Sequence, residues 1–100
     1  MPITLLEPVE KFIGSLEKKT LAKTLRVIDL LEEFGVDLNM PHSKPMGDGV
    51  FELRIQGMQS VRLLYGFQKN RVYIVHGFIK KTQKTPRREY NLAKKRLDEI

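Results

Sequence analysis

Apolar and polar residues alternate with period two in three runs of the second half, residues 50–55, 61–67 and 72–79. In the first run Phe51, Leu53 and Ile55 fall on one side, with Glu52 and Arg54 on the other. In the second, Val61, Leu63 and Tyr65 share a side opposite Arg62 and Leu64. This periodicity predicts strands with one apolar face and a second face carrying Glu52, Arg54 and Arg62. Gly57 separates the first two runs, and Lys69-Asn70 is a tight turn between the last two. Connections this short favour an antiparallel meander.

The first half has a different rhythm. Leu21, Leu25, Ile28 and Leu31 recur at helical spacing, and Val27, Leu30 and Phe34 widen the stripe. Lys18, Lys19, Lys23, Glu32 and Glu33 mostly fall on the other side. The pattern predicts an amphipathic helix capped near Ser15 and ending at Phe34, with Gly35 in the left-handed cap position. A shorter helical segment over residues 7–13 precedes it, and residues 3–6 form an apolar stub suited to an edge strand. Residues 36–49 contain Pro41, Pro45, Gly47 and Gly49 and read as a loop. After the strands, Thr85 is expected to cap a last helix with Pro86 at its first position, where a missing N–H costs nothing. Tyr90, Ala93, Leu97 and Ile100 lie on one side of that helix. The expected fold is α+β: two amino-terminal helices packed on a small antiparallel sheet, followed by a carboxyl-terminal helix.

A chain of 100 residues with 41% hydrophobic content is expected to form one domain, residues 1–100, around one core. It has no cysteine, so disulfide and thiolate chemistry are excluded and a reducing compartment is favoured. Residues 1–8 lack the basic head and apolar stretch of a signal peptide. No apolar run approaches the roughly 20 residues that cross a bilayer. The expectation is a cytoplasmic protein without a membrane partner.

Charge changes the picture. The net charge is +6, and it is unevenly shared. Residues 1–49 hold six Lys/Arg against eight Asp/Glu, whereas residues 50–100 hold twelve against four. Lys80, Lys81, Lys84, Arg87 and Arg88 fall between the last strand and the last helix, and Lys94, Lys95 and Arg96 follow within that helix. Such asymmetry points to a polyanion, most often nucleic acid, less often an acidic protein or a membrane surface. A solvated basic face with no ligand remains open at this stage.

The residues exclude several chemistries. His42 and His76 are far apart in sequence, and no acidic cluster has ligand spacing, so no metal is expected. Neither a nucleophile elbow nor a phosphate-binding glycine loop is present, and no cofactor is expected. Arg and Lys with Tyr and His suffice for one reaction, RNA cleavage by attack of the 2′-hydroxyl on the adjacent phosphate. Fixed cations neutralise charge growing on the phosphoryl oxygens. His, Tyr or a lysine of lowered pKa moves the protons, and clustered lysines depress one another's pKa. Arg62 has no acidic neighbour in its own strand and is the better ligand candidate, while Arg54 either meets a ligand or pairs with Glu52. Tyr90 either packs in the core or acts in chemistry, and His76 either packs or transfers a proton.

Three segments together carry a resemblance. Gly47-Asp48-Gly49-Val50-Phe51-Glu52-Leu53-Arg54, then Val61-Arg62-Leu63-Leu64-Tyr65, then His76-Gly77-Phe78 with Lys80-Lys81-Thr82-Gln83-Lys84-Thr85-Pro86, resemble the RelE/HigB superfamily of toxin–antitoxin toxins, in its phage-derived HigB-like branch. The resemblance implies a RelE/ParE-like sandwich and a toxin that cleaves mRNA on the ribosome without metal. It also implies a cognate antitoxin protein as partner. Residue by residue, it implies that Arg62 acts on the scissile phosphate and that Tyr90 is the tyrosine of the last helix. Lys80, Lys81 and Lys84 would form the basic catalytic loop. Arg54, Arg87, Arg88, Lys94 and Lys95 are expected to bind phosphates. RelE itself has lysines on the first strand of the meander, where this chain has Val50 and Glu52, so that base does not carry over. A ParE-like toxin, which inhibits DNA gyrase without cutting RNA, is the alternative of the same fold.

Overall fold

A computed structural model describes residues 1–100. Strand β1 (Ile3–Leu5) leads into helix α1 (Glu7–Gly14) and helix α2 (Lys18–Phe34), and a 3-10 turn follows at Gly35–Asp37. Then come β2 (Ser43–Gly47), β3 (Val50–Ile55), β4 (Val61–Gln68), β5 (Arg71–Ile79) and α3 (Arg87–Asp98). The five strands form one sheet in the order β1-β5-β4-β3-β2. The β2 to β5 pairings are antiparallel, as the short connections require, and β1 joins the far edge parallel to β5. The three meander strands and the apolar stub lie where the alternation places them, to within a residue at their ends.

The sheet is covered on both faces. Val9 and Ile13 of α1 and Val27 and Leu31 of α2 pack on Leu53, Ile55, Val61, Leu63, Tyr65, Val72 and Ile74. On the opposite face, Ala93 and Leu97 of α3 close over Val50, Leu64, Val75 and Phe78, with Tyr90 and Ile100 at the margin. The apolar stripe expected on the last helix is therefore its contact face. No helix is long and apolar enough to cross a membrane.

Four local expectations need correction. Residues 43–47 are a strand, β2, and not loop. Its hairpin with β3 turns on Asp48 and Gly49, whose φ values of 52° and 79° match the two-residue turn that suits twisted strands. Pro45 is tolerated because β2 is an edge. Helix α2 is capped by Glu17, whose carboxylate accepts from the Thr20 N–H, while Ser15 caps the end of α1. Its buried line runs Thr20, Thr24, Val27, Leu31, leaving Leu25 and Phe34 exposed. Thr24 donates to the Thr20 carbonyl, so its hydroxyl is satisfied inside the helix and the threonines pack like valines. Finally, Pro86 stands at the cap position of α3, and Thr85 makes no cap bond. Its hydroxyl donates instead to Glu52.

Candidate functional site

Strand register brings the polar residues together. One row across the sheet reads Lys44, Glu52, Leu64, His76, and the next reads Arg54, Arg62, Phe78. Period two sends these side chains to the face that α3 covers. Helix α3 is too short to roof the whole face, and the residues before it, 80–86, run along the uncovered end.

Glu52 lies at the centre of this end, with its side chain 4% exposed. Its Oε1 is 3.5 Å from Arg62 Nε and 3.9 Å from Arg54 Nε. Its Oε2 accepts from Thr85, which ties the basic loop to β3. Arg62 is as buried as Glu52, and its guanidinium donates to the Val61 carbonyl at 2.9 Å. The absence of an acid within the Arg62 strand was therefore misleading. Its counter-charge comes diagonally from the neighbouring strand, a contact that register creates. Arg54, expected either to pair or to bind, reaches the same carboxylate. Two guanidinium groups share one carboxylate, so the cluster keeps a positive field. Burial pushes the Arg62 guanidinium down from its usual pKa, Glu52 pulls it back up, and Arg54 adds to the lowering.

Two adjoining clefts open beside this cluster. One, of about 260 Å³, is lined by Lys44, Met46, Glu52, Lys80, Gln83, Lys84 and Thr85. The backbone N–H of Lys80 donates to Ser60 O at 2.7 Å, which fixes where the loop leaves the sheet. Burial lowers the Lys80 pKa, and the Arg62 charge lowers it further, with Arg54 and Lys44 adding to the effect and Glu52 opposing it. The other cleft, of about 440 Å³, is lined by Met46, Gly47, Asp48, Thr85, Arg87 and Tyr90. The Tyr90 hydroxyl donates to Asp48 Oδ2 at 3.2 Å, with Gly47 O at 3.4 Å. Desolvation raises the Tyr90 pKa, and the Asp48 hydrogen bond and charge raise it further. Met46 and Thr85 line both clefts.

The residues singled out in the sequence therefore divide. Lys80, Lys84, Arg87 and Tyr90 line the clefts, with Arg54 and Arg62 behind Glu52. Lys81, Arg88 and Lys95 are exposed and line neither. Lys94 pairs with Asp98 at 2.8 Å. His76 is half-buried, hydrogen-bonded through Nε2 to Glu89 Oε1 at 2.8 Å and stacked on Phe78. It joins α3 to β5 and lines neither cleft. Lys44, Met46, Asp48, Gln83 and Thr85 were not anticipated. The first three come from the unexpected β2 hairpin, and the Asp48-Gly49 pair was the signal that could have revealed it.

These features define a small α+β protein with two adjoining clefts, one of them lysine-lined, between one end of its sheet and its carboxyl-terminal segment. The chain belongs to the phage-derived protein Gp49-like family (DUF891), which matches residues 11–98 and is associated with RelE/HigB-like toxins. No curated protein matches the chain.

Proposed function

We propose that this protein is a toxin of the HigB-like branch that cuts ribosome-bound mRNA in the cytoplasm without a metal, and that a cognate antitoxin protein neutralises it. The reading rests on one observation: a cleft with three lysines adjoins a cleft holding Tyr90, and the two share Met46 and Thr85. A phosphate binds among Lys44, Lys80 and Lys84, and the sugar chain continues toward Tyr90. Lys80, in its neutral form, takes the proton from the 2′-hydroxyl. The O2′–P bond forms and the P–O5′ bond breaks, leaving a 2′,3′-cyclic phosphate. The phenol of Tyr90 gives its proton to the departing 5′-oxygen. Lys84 and Lys44 stabilise charge on the phosphoryl oxygens, and the Arg54–Arg62 pair adds its field from beneath. Lys81, Arg87, Arg88, Lys94 and Lys95 steer the RNA through long-range attraction that weakens with salt. His76 serves by holding α3 in place.

The test is primer-extension mapping of mRNA on purified ribosomes. The native chain should produce discrete cuts with cyclic-phosphate ends, and Lys80→Ala with Lys84→Ala should abolish them while remaining folded. Undiminished cutting by that variant would remove the proposal. One observation favours the gyrase-inhibiting alternative: Arg62, the expected phosphate ligand, is buried and faces Glu52. A DNA-damage response with intact transcripts would select that reading.

A further inference from the structure

The turn joining β2 to β3 places a carboxylate where a groove for a polyanion should avoid one. Asp48 and Gly49 both have positive φ, and Asp and Gly are residue types that such a turn accepts. The turn alone does not explain where the carboxylate points. Asp48 is exposed, forms no ion pair, and lines the larger cleft facing Tyr90 and Arg87. Its charge repels phosphate. The two clefts thus differ in kind: the lysine-lined one attracts phosphate, and the other has an Asp48 wall that turns phosphate away and accepts N–H donors.

The part of a nucleotide that carries N–H donors is the base. The other walls of this cleft suit its flat faces. The Tyr90 ring and the Arg87 guanidinium, 6.0 Å from the ring centroid, are surfaces on which bases stack. The volume, about 440 Å³, is in the range of small-ligand sites. The carboxylate also discriminates among bases. The pairing edge of guanine offers two adjacent donors, N1–H and the 2-amino group, which match two carboxylate oxygens. Uracil offers one N–H between two carbonyls. Adenine and cytosine each set one amino group beside a ring nitrogen lone pair, which faces a carboxylate oxygen unfavourably.

We propose that the cleft between Asp48 and Tyr90 seats a guanine base beside the phosphate held by Lys80 and Lys84, and that Asp48 selects it. The inference rests on the reading of the clefts as an RNA site and assigns that site a base preference.

The test measures binding without cleavage. Short RNAs carrying 2′-deoxyribose at the attacking position, with each flanking base varied through G, A, C and U, are titrated by fluorescence anisotropy. The native chain should bind the guanine oligonucleotide roughly tenfold more tightly at one flanking position. Asp48→Asn keeps an oxygen for the Tyr90 hydroxyl, and asparagine tolerates the same left-handed backbone, so the variant should fold. Its amide offers one donor and one acceptor, a combination that every base edge can match, so the preference for guanine should be lost. Equal affinity of the native chain for all four bases, or an Asn variant that still favours guanine, would overturn the assignment. Guanine-selective binding by a protein that cuts no RNA would remove the nuclease and leave the base seat. Base-indifferent binding by a protein that cuts would do the reverse.

Discussion

Glu52 and Arg62 face each other diagonally across β3 and β4, Oε1 3.5 Å from Nε, with side chains 4% and 3% exposed. The Arg62 Nε has no hydrogen-bond partner, so the carboxylate neutralises the guanidinium without fully satisfying it. A buried charge that loses its partner is far more costly than the pair is stabilising. Glu52→Ala should therefore lower stability by about 3–5 kcal/mol in urea unfolding. Adding Arg62→Met to Glu52→Leu should recover most of that loss, since an apolar pair of similar volume needs no counter-charge. A single Glu52→Ala variant as stable as the native chain would show that water reaches this cluster.

Under the proposed mechanism, the shifts at Lys80 and Tyr90 would set the pH profile of cleavage. Lys80 has a pKa below the ordinary 10.5, so its neutral fraction rises with pH and passes one half below that value. Tyr90 has a pKa above the ordinary 10.0, so it is still mostly protonated at that pH and loses its proton higher than a free tyrosine does. The rate should climb about tenfold per pH unit through neutrality and fall only above the tyrosine's ordinary range. The same Lys80 shift has a sign for stability. The unfolded chain binds more protons than the folded one between the lowered pKa and 10.5, so this group contributes rising stability with pH there. Lys80→Arg should flatten the ascending limb, and an unchanged slope in single-turnover assays would take Lys80 out of proton transfer.

Alternation and turn residues made most of the sheet legible. The Lys69-Asn70 turn, with φ of 53° and 58°, sits where the sequence marks it. What depends on pairing between distant segments was not legible. Period two puts Glu52 and Arg62 on one face, but only the β3–β4 register makes them diagonal neighbours. The rotation of α2 does not follow from side-chain apolarity alone, because the hydroxyl bond from Thr24 to Thr20 lets a threonine take a core position. The cap of α3 was misplaced for a related reason: a buried carboxylate from β3 competes for the Thr85 hydroxyl. In the site, Lys80, Lys84 and Tyr90 could be found from the basic segment and the last helix. Lys44 and Asp48 were masked because Pro45 argues for loop, although the Asp48-Gly49 pair signals a hairpin and an edge strand such as β2 accepts proline.

His76 should prove structural when tested. Its Nε2 bond to Glu89 joins β5 to the first turn of α3, where a carboxylate also suits the helix dipole. A partly buried hydrogen bond to a charged group contributes about 1.5–3 kcal/mol. His76→Phe should lower the unfolding free energy by about that amount, since the ring stacks on Phe78 but cannot bond. Cleavage per folded molecule should stay within about twofold, against the tenfold or greater losses that follow removal of a proton-transfer group. A loss of that larger size in a folded His76→Phe variant would return this residue to the chemistry.

Gly77 shows how closely α1 approaches the sheet beside that histidine. A Cβ at this position would lie 2.5 Å from Phe12 Cδ2 and 2.8 Å from Leu63 Cδ2, closer than van der Waals contact allows. The glycine lets an aromatic ring of α1 approach β5 closely, and no positive φ is involved. Gly77→Ala should force Phe12 outward and cost about 1–3 kcal/mol, as overpacking does. Pairing it with Phe12→Leu should restore part of the loss, because the smaller side chain vacates the contested space. Calorimetry of the single and double variants reads the coupling directly. Additive losses would mean that the backbone, and not the ring, yields to the new methyl group.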